Sequence, residues 1–204
     1  MRFAPTCFRP VFGRVLSVIV VVIVAFGLAG FIVAGDYEGL VRYGWGMLLL
    51  VVVVYALFWR PSLDVAEHAI TVSNVFSTIT VPWPAIQRVD TKYALTLYTT
   101  GGTISAWASP APNRYASHNA AASDARLASN GTGAVRPGDL LSTGSGAAAF
   151  VIRRHWEELR EDGLLDGGLL DAGYEDRTVR RDIHWPTIIA MAVLAVATVL
   201  GIAL

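Results

Sequence analysis

Four histidines, a single cysteine and sixteen scattered carboxylates are the groups in this 204-residue chain best suited to acid–base, nucleophilic or metal chemistry. Each of those chemistries needs the groups in combination: a nucleophile beside a base, a carboxylate pair, or a cluster of metal ligands. His68, His118, His155 and His184 fall in a turn, a low-complexity tract, a helix and a membrane border, so the sequence does not bring them together. There is no His-x-x-x-His, no Cys-x-x-Cys and no glycine-rich phosphate loop. Cys7, alone, allows no internal disulfide and no cysteine-rich metal site. It precedes an apolar run instead of ending one, so it makes no lipoprotein box and reads as an inert thiol near a membrane surface. Asp64 and Glu67 sit where solvent screens them, and His155 reads as an ordinary residue of a surface helix. The expectation is a non-catalytic protein with no cofactor and no metal.

The elements that would carry these residues are set by three uncharged apolar runs, Val15–Gly35, Tyr43–Trp59 and Pro186–Leu204. A bilayer core takes about 20 apolar residues of helix, and the runs have 21, 17 and 19. None holds Asp, Glu, Lys, Arg or His, so none resembles a proton relay or ion path. The first run is too long for the apolar core of a cleaved signal peptide, and another span follows closely; it reads as an anchor. Arg2, Arg9, Arg14, Arg60, Arg177, Arg180 and Arg181 would share one side of the membrane and Arg42 the other. By the positive-inside rule the N-terminus and the polar segment are cytoplasmic and Leu204 is outside. Trp59 and Trp185 suit interfacial anchors. Between Arg60 and Trp185 there are twelve basic and fourteen acidic residues, a net of −2, which is no footprint for nucleic acid.

In the polar segment the apolar period shifts from helix to strand. Leu63 and Val65, then Ile70 and Val72, alternate with polar residues around Ala66–Ala69, a hairpin pattern. Ile79 and Val81 alternate until Pro82. Ala94–Thr100 and Thr103–Ser109 flank Gly101-Gly102, and pairing Thr100 with Thr103 sets Leu97 opposite Ala106 and Leu95 opposite Ala108. Four or five short antiparallel strands result. Residues 116–146 hold no aromatic residue and 22 of the 31 are Ala, Gly, Ser, Thr, Asn or Pro, a composition that predicts a flexible insertion. Ala147–Asp162 then reads as an amphipathic helix with Ala148, Ile152, Trp156 and Leu159 on one stripe and Arg153/Glu157 and Arg154/Glu158 as pairs spaced by four.

Trp59-Arg60-Pro61 after a span, Leu63-x-Val65, Ala69-Ile70-Thr71-Val72-x-Asn74, Val81-Pro82-Trp83-x-x-Ile86 and the glycine-turn hairpin into Trp107-Ala108-x-Pro110 carry a resemblance. This string resembles the bacterial PH-like domains of actinobacterial membrane proteins, in the group named after low molecular weight protein antigen 6. The resemblance implies a bent antiparallel sheet, or open barrel, capped by one C-terminal helix. The expected organisation is therefore a cytoplasmic N-terminus (1–14), a transmembrane hairpin (15–59), a PH-like domain (60–164) with its insertion, a linker (165–185) and a third span (186–204). Eukaryotic relatives of the fold often bind phosphoinositides through basic residues of the first hairpin; here that loop offers Glu67 and His68, and 75–80 carry no charge.

The function expected is a membrane-tethered protein-interaction module, docking a peptide or membrane protein at a sheet edge or an aromatic face of Trp83, Tyr98, Trp107 and Arg114. Two alternatives accompany it. One is an accessory subunit associating through small residues of its spans, Gly27, Gly30, Ala190, Ala197 and Gly201. The other is an anionic-lipid-binding module, with Arg177, Arg180 and Arg181 meeting the membrane surface.

Overall fold

The computed structural model of the protein describes residues 5–91, 94–110, 143–163, 165 and 178–203. These form two compact units, a helical one (residues 10–61, 75–77 and 183–203) and a β-rich one (5–9, 62–74 and the described part of 78–182).

In the helical unit, α1 (Val11–Ala34), α2 (Tyr37–Val54) with the π-helical turn Tyr55–Trp59 that extends it, and α4 (Trp185–Ala203) are long and apolar enough to cross a membrane. Helices α1 and α2 are joined by Gly35 and Asp36 alone, although the first two apolar runs leave residues 36–42 between them. Gly35 takes a left-handed conformation (φ 69°), its N–H donating to the Ile32 carbonyl at 3.1 Å and that of Asp36 to Phe31 at 3.0 Å. This pairing satisfies the last carbonyls of α1. Asp36 then caps α2, accepting from the Gly39 N–H at 2.8 Å, so Arg42 lies inside the second helix. Packing of α2 against α4 relies on glycine: a Cβ at Gly201 would lie 2.9 Å from the Val41 carbonyl oxygen, whereas one at Gly27 would meet only the movable methyl end of Met47. One of the small residues expected to serve partner association is thus consumed inside the chain.

The β-rich unit holds two antiparallel sheets. In the first, β1 (Thr6–Phe8), β2 (Ser62–Val65), β3 (Ala69–Ser73), β4 (Ser77–Pro82) and β8 (Arg180–Ile183) lie in the order β1-β2-β3-β4-β8. The second is the meander β5 (Ile86–Asp90), β6 (Ala94–Thr99), β7 (Gly102–Pro110). Helix α3 (Gly144–Glu161) packs on them, and the chain adopts the expected architecture of apolar helices plus antiparallel sheet with a helix C-terminal to the strands. Leu63, Val65, Ile70, Val72, Val81, Leu95 and Leu97 from alternate strand positions meet Ala148, Ala149, Ile152 and Leu159 of α3, all fully or almost fully buried.

Several particulars differ from expectation. Three strands, β1, β5 and β8, carry no alternation that marks them: β5 is broken at Gln87, where the register with β6 shifts, and β8 is exposed throughout. The stretch 165–185 therefore contains a strand, and 1–14 contains another. The β6–β7 hairpin pairs Thr99 with Gly102 and Leu97 with Ile104, a slip of two from the expected register. Such a slip leaves every side chain on its own face. Gly102 (φ 123°) supplies the left-handed residue, and the Thr99 hydroxyl donates to its carbonyl at 2.8 Å. Finally, α3 begins at Gly144, because the Thr143 hydroxyl accepts from the Gly146 N–H at 3.1 Å; Gly144–Gly146 belong to the helix and not to an insertion, the rest of which (116–142) lies outside the described residues.

Candidate interaction surface

The outward face of the three-stranded sheet gathers polar and aromatic side chains that the meander aligns. Arg88 of β5 pairs with Tyr98 of β6, which pairs with Thr103 of β7; one step along, Asp90, Thr96 and Ser105 form the next row. The intervening residues Val89, Leu97 and Ile104 point inward to the core. The Arg88 guanidinium carbon lies 4.1 Å from the Tyr98 ring centroid, a stacked cation–π geometry, while its Nη2 is 3.7 Å from Asp90 Oδ2. With the Arg88 side chain largely in water, the stacking contributes about 0.5–1 kcal/mol, and the ion pair adds little. The Thr96 and Ser105 hydroxyls are 3.0 Å apart. Trp107 extends the strip, with 56% of its surface exposed.

The outer edge of β7 is fastened by one side chain. Asn74, just beyond β3, donates from Nδ2 to the Ser105 carbonyl (2.9 Å) and accepts at Oδ1 from the Trp107 N–H (2.9 Å). Its amide makes the two bonds that a neighbouring strand would make, so the backbone beneath Trp107 is held without a strand there.

Of the four residues expected on an exposed aromatic face, Tyr98 and Trp107 lie on this strip. Trp83 does not. It is completely buried, its indole N–H donating to the Ala66 carbonyl at 3.1 Å and its ring meeting His155 edge-on at 4.8 Å. Pro82 and Pro84 hold Trp83 in a short 3-10 turn that swings the side chain into the core. His155, expected on a surface, is correspondingly buried against that ring at 6% exposure. Arg114 lies outside the described residues. Arg88 was not singled out by sequence reasoning; its one signal, the Ile86-x-Arg88-Val89-Asp90 pattern, is blurred by the irregularity at Gln87.

The strip can stack and hydrogen-bond. Among the described residues, no group of three or more His, Cys, Asp and Glu is placed to hold a metal ion. Residues 60–149 match a protein-family model described as Bacterial PH domain. The match runs from the end of the second apolar helix through the meander and into the first turns of α3, leaving β1, β8 and most of the apolar helices outside it. No curated protein and no solved structure matches the chain. This segment is thus similar to bacterial PH domains.

Proposed function

We propose that this chain is a multi-pass inner-membrane protein that presents a non-catalytic PH-like module on the cytoplasmic side, where the Arg88–Tyr98–Trp107 strip docks a protein partner. Cytoplasmic placement rests on the basic residues flanking the spans. It is supported by β1, which precedes the first apolar helix yet pairs with β2, which follows the second: two crossings return the chain to the side where it began. The motifs read in the sequence favour kinship with the actinobacterial antigen-type PH-like proteins.

The observation that carries the docking reading is the exposed Trp107 on a backbone tied by Asn74, beside a stacked Arg88–Tyr98 pair. Aromatic and arginine side chains on a rigid support are the usual anchors of interfaces. Association through the spans is less favoured, because Gly201 already seats α4 against α2 of the same chain.

The test is proximity crosslinking in native membranes, comparing the full chain with Trp107→Ala and with Arg88→Ala/Tyr98→Ala. Point variants are preferable to deleting 60–185, because such a deletion would strip β1 of its partner. Loss of the same captured proteins from both variants supports docking on the strip. Unchanged capture shifts the function to the spans.

A further inference from the structure

The helical unit carries a feature that the PH-like module does not explain. Between α1 and α2 runs a groove of about 420 Å³ whose walls are Val18, Val21 and Val22 on one side and Val51, Val52 and Tyr55 on the other. It ends at Trp59, and Arg14 stacks on that ring with its guanidinium carbon 5.7 Å from the centroid. We propose that this groove binds one anionic phospholipid, an acyl chain lying on the valines and the phosphate meeting Arg14.

Two observations choose this occupant. The surface that the groove exposes is apolar, and the hydroxyl of Ser17 in its wall donates to the Gly13 carbonyl at 2.9 Å. A smooth β-branched wall of this kind suits a hydrocarbon chain. Charge decides the headgroup. Arg14 sits near the N-terminus of α1, whose first turn holds no acid, and Arg60 follows Trp59, donating to Thr187 Oγ1 at 2.6 Å. Among the described residues of this unit, the side-chain carboxylates are Asp36 and Glu38, at the opposite end of the α1–α2 hairpin. An arginine beside a helix N-terminus at an interfacial tryptophan favours a phosphate-bearing anion. A second copy packing its own α1–α2 face here would instead bring two Arg14 side chains to one level.

The proposal rests on α1 and α2 spanning a membrane. The full chain is to be purified with phosphatidylglycerol and phosphatidylcholine of identical acyl chains and read by native mass spectrometry. Retention of phosphatidylglycerol over phosphatidylcholine by about fivefold is expected, the factor that about 1 kcal/mol per basic residue supplies. Arg14→Gln should erase the preference, Arg14→Lys should keep part of it, and Val21→Phe/Val52→Phe, which fills the groove, should lose bound lipid of either kind. Arg180→Gln/Arg181→Gln should change nothing. Equal retention of the two lipids, an indifferent Arg14→Gln, displacement of lipid by inorganic phosphate, or a lipid-free dimer would each overturn the proposal. A chain that washes off membranes in alkaline carbonate would overturn the span reading itself, a failure readable separately from loss of lipid preference.

Discussion

The two sheets of the β-rich unit are assembled on different principles. The three-stranded sheet is local: β5, β6 and β7 follow one another in sequence and each pairs with its neighbour. The five-stranded sheet has a local centre, β2-β3-β4, but both flanks are recruited from far away, β1 from before the first apolar helix and β8 from just before the last. The chain thereby uses segments adjoining its apolar helices to cover β2 and β4, leaving outer strands of only three and four residues. Short edges are poor templates for an added strand. The meander keeps a broad outward face, and at its β7 edge the Ser105 carbonyl and the Trp107 N–H are bonded by a side chain, Asn74. Recognition by face, through the Tyr98–Trp107 strip, therefore fits this architecture better than the strand addition that the sequence also suggested.

Two tryptophans give the sharpest handle on that difference. Trp83→Ala empties a fully buried site and orphans the Ala66 carbonyl, so the β-rich unit should lose about 3–5 kcal/mol of stability. Trp107→Ala removes a half-exposed ring and should stay within about 0.5 kcal/mol, while abolishing partner capture. Pulse proteolysis of the full chain across a urea series measures both. Equal destabilisation by the two variants would mean that Trp107 belongs to the core and that the outward face is not free.

The recruited flank is tested next. Phe8 lies opposite Leu63 and packs half-buried on the core. Phe8→Ala should cost about 1 kcal/mol in the same assay, roughly half of what burying a whole Phe side chain contributes. No loss would separate β1 from the sheet and remove that flank from the contrast between local and recruited strands. On the other side of the comparison, Asn74→Ala leaves the Ser105 carbonyl and Trp107 N–H to water, a loss of about 1 kcal/mol. Faster hydrogen exchange should appear at the Trp107 amide and leave Leu97 unchanged.

What was legible follows the same division. The apolar runs, the strands with clean alternation (Leu63/Val65, Ile70/Val72, Ile79/Val81) and the amphipathic stripe of α3 were readable because burial on one face imposes a period. The hairpin was readable as to face, and its register was not, since Thr100, Gly101 and Gly102 admit turns that differ by an even slip. β1 and β8 were invisible: Thr6-Cys7-Phe8 and Arg180-Arg181-Asp182-Ile183 show no alternation, and their strand character comes from bonding to β2 and β4. Trp83 was misplaced because an isolated aromatic after Pro82 looks the same whether its turn swings it inward or outward. The Arg88–Tyr98 stack depends on a cross-strand pairing beyond an irregularity, which no local pattern encodes.

The smallest expected effect sits on the recruited strand itself. Cys7, exposed on β1, stands opposite Asp64. Partial burial raises the pKa of its thiol, and the hydrogen bond and charge of Asp64 raise it further, against an opposing influence of Arg9. The thiolate, the reactive form, therefore appears at higher pH in the folded chain than in the unfolded one. Iodoacetamide labelling at about pH 8.5, near the ordinary value for a free thiol, should be slower in the native protein than in urea, and Asp64→Asn should speed it. The linkage has a definite sign. Because the folded value is the higher one, pairing of β1 is favoured at neutral pH and this contribution is lost as the pH climbs through the folded value. Native labelling as fast as in urea, and insensitive to Asp64→Asn, would show that β1 is unpaired and that the β2 flank of the five-stranded sheet is not covered by the segment before the first apolar helix.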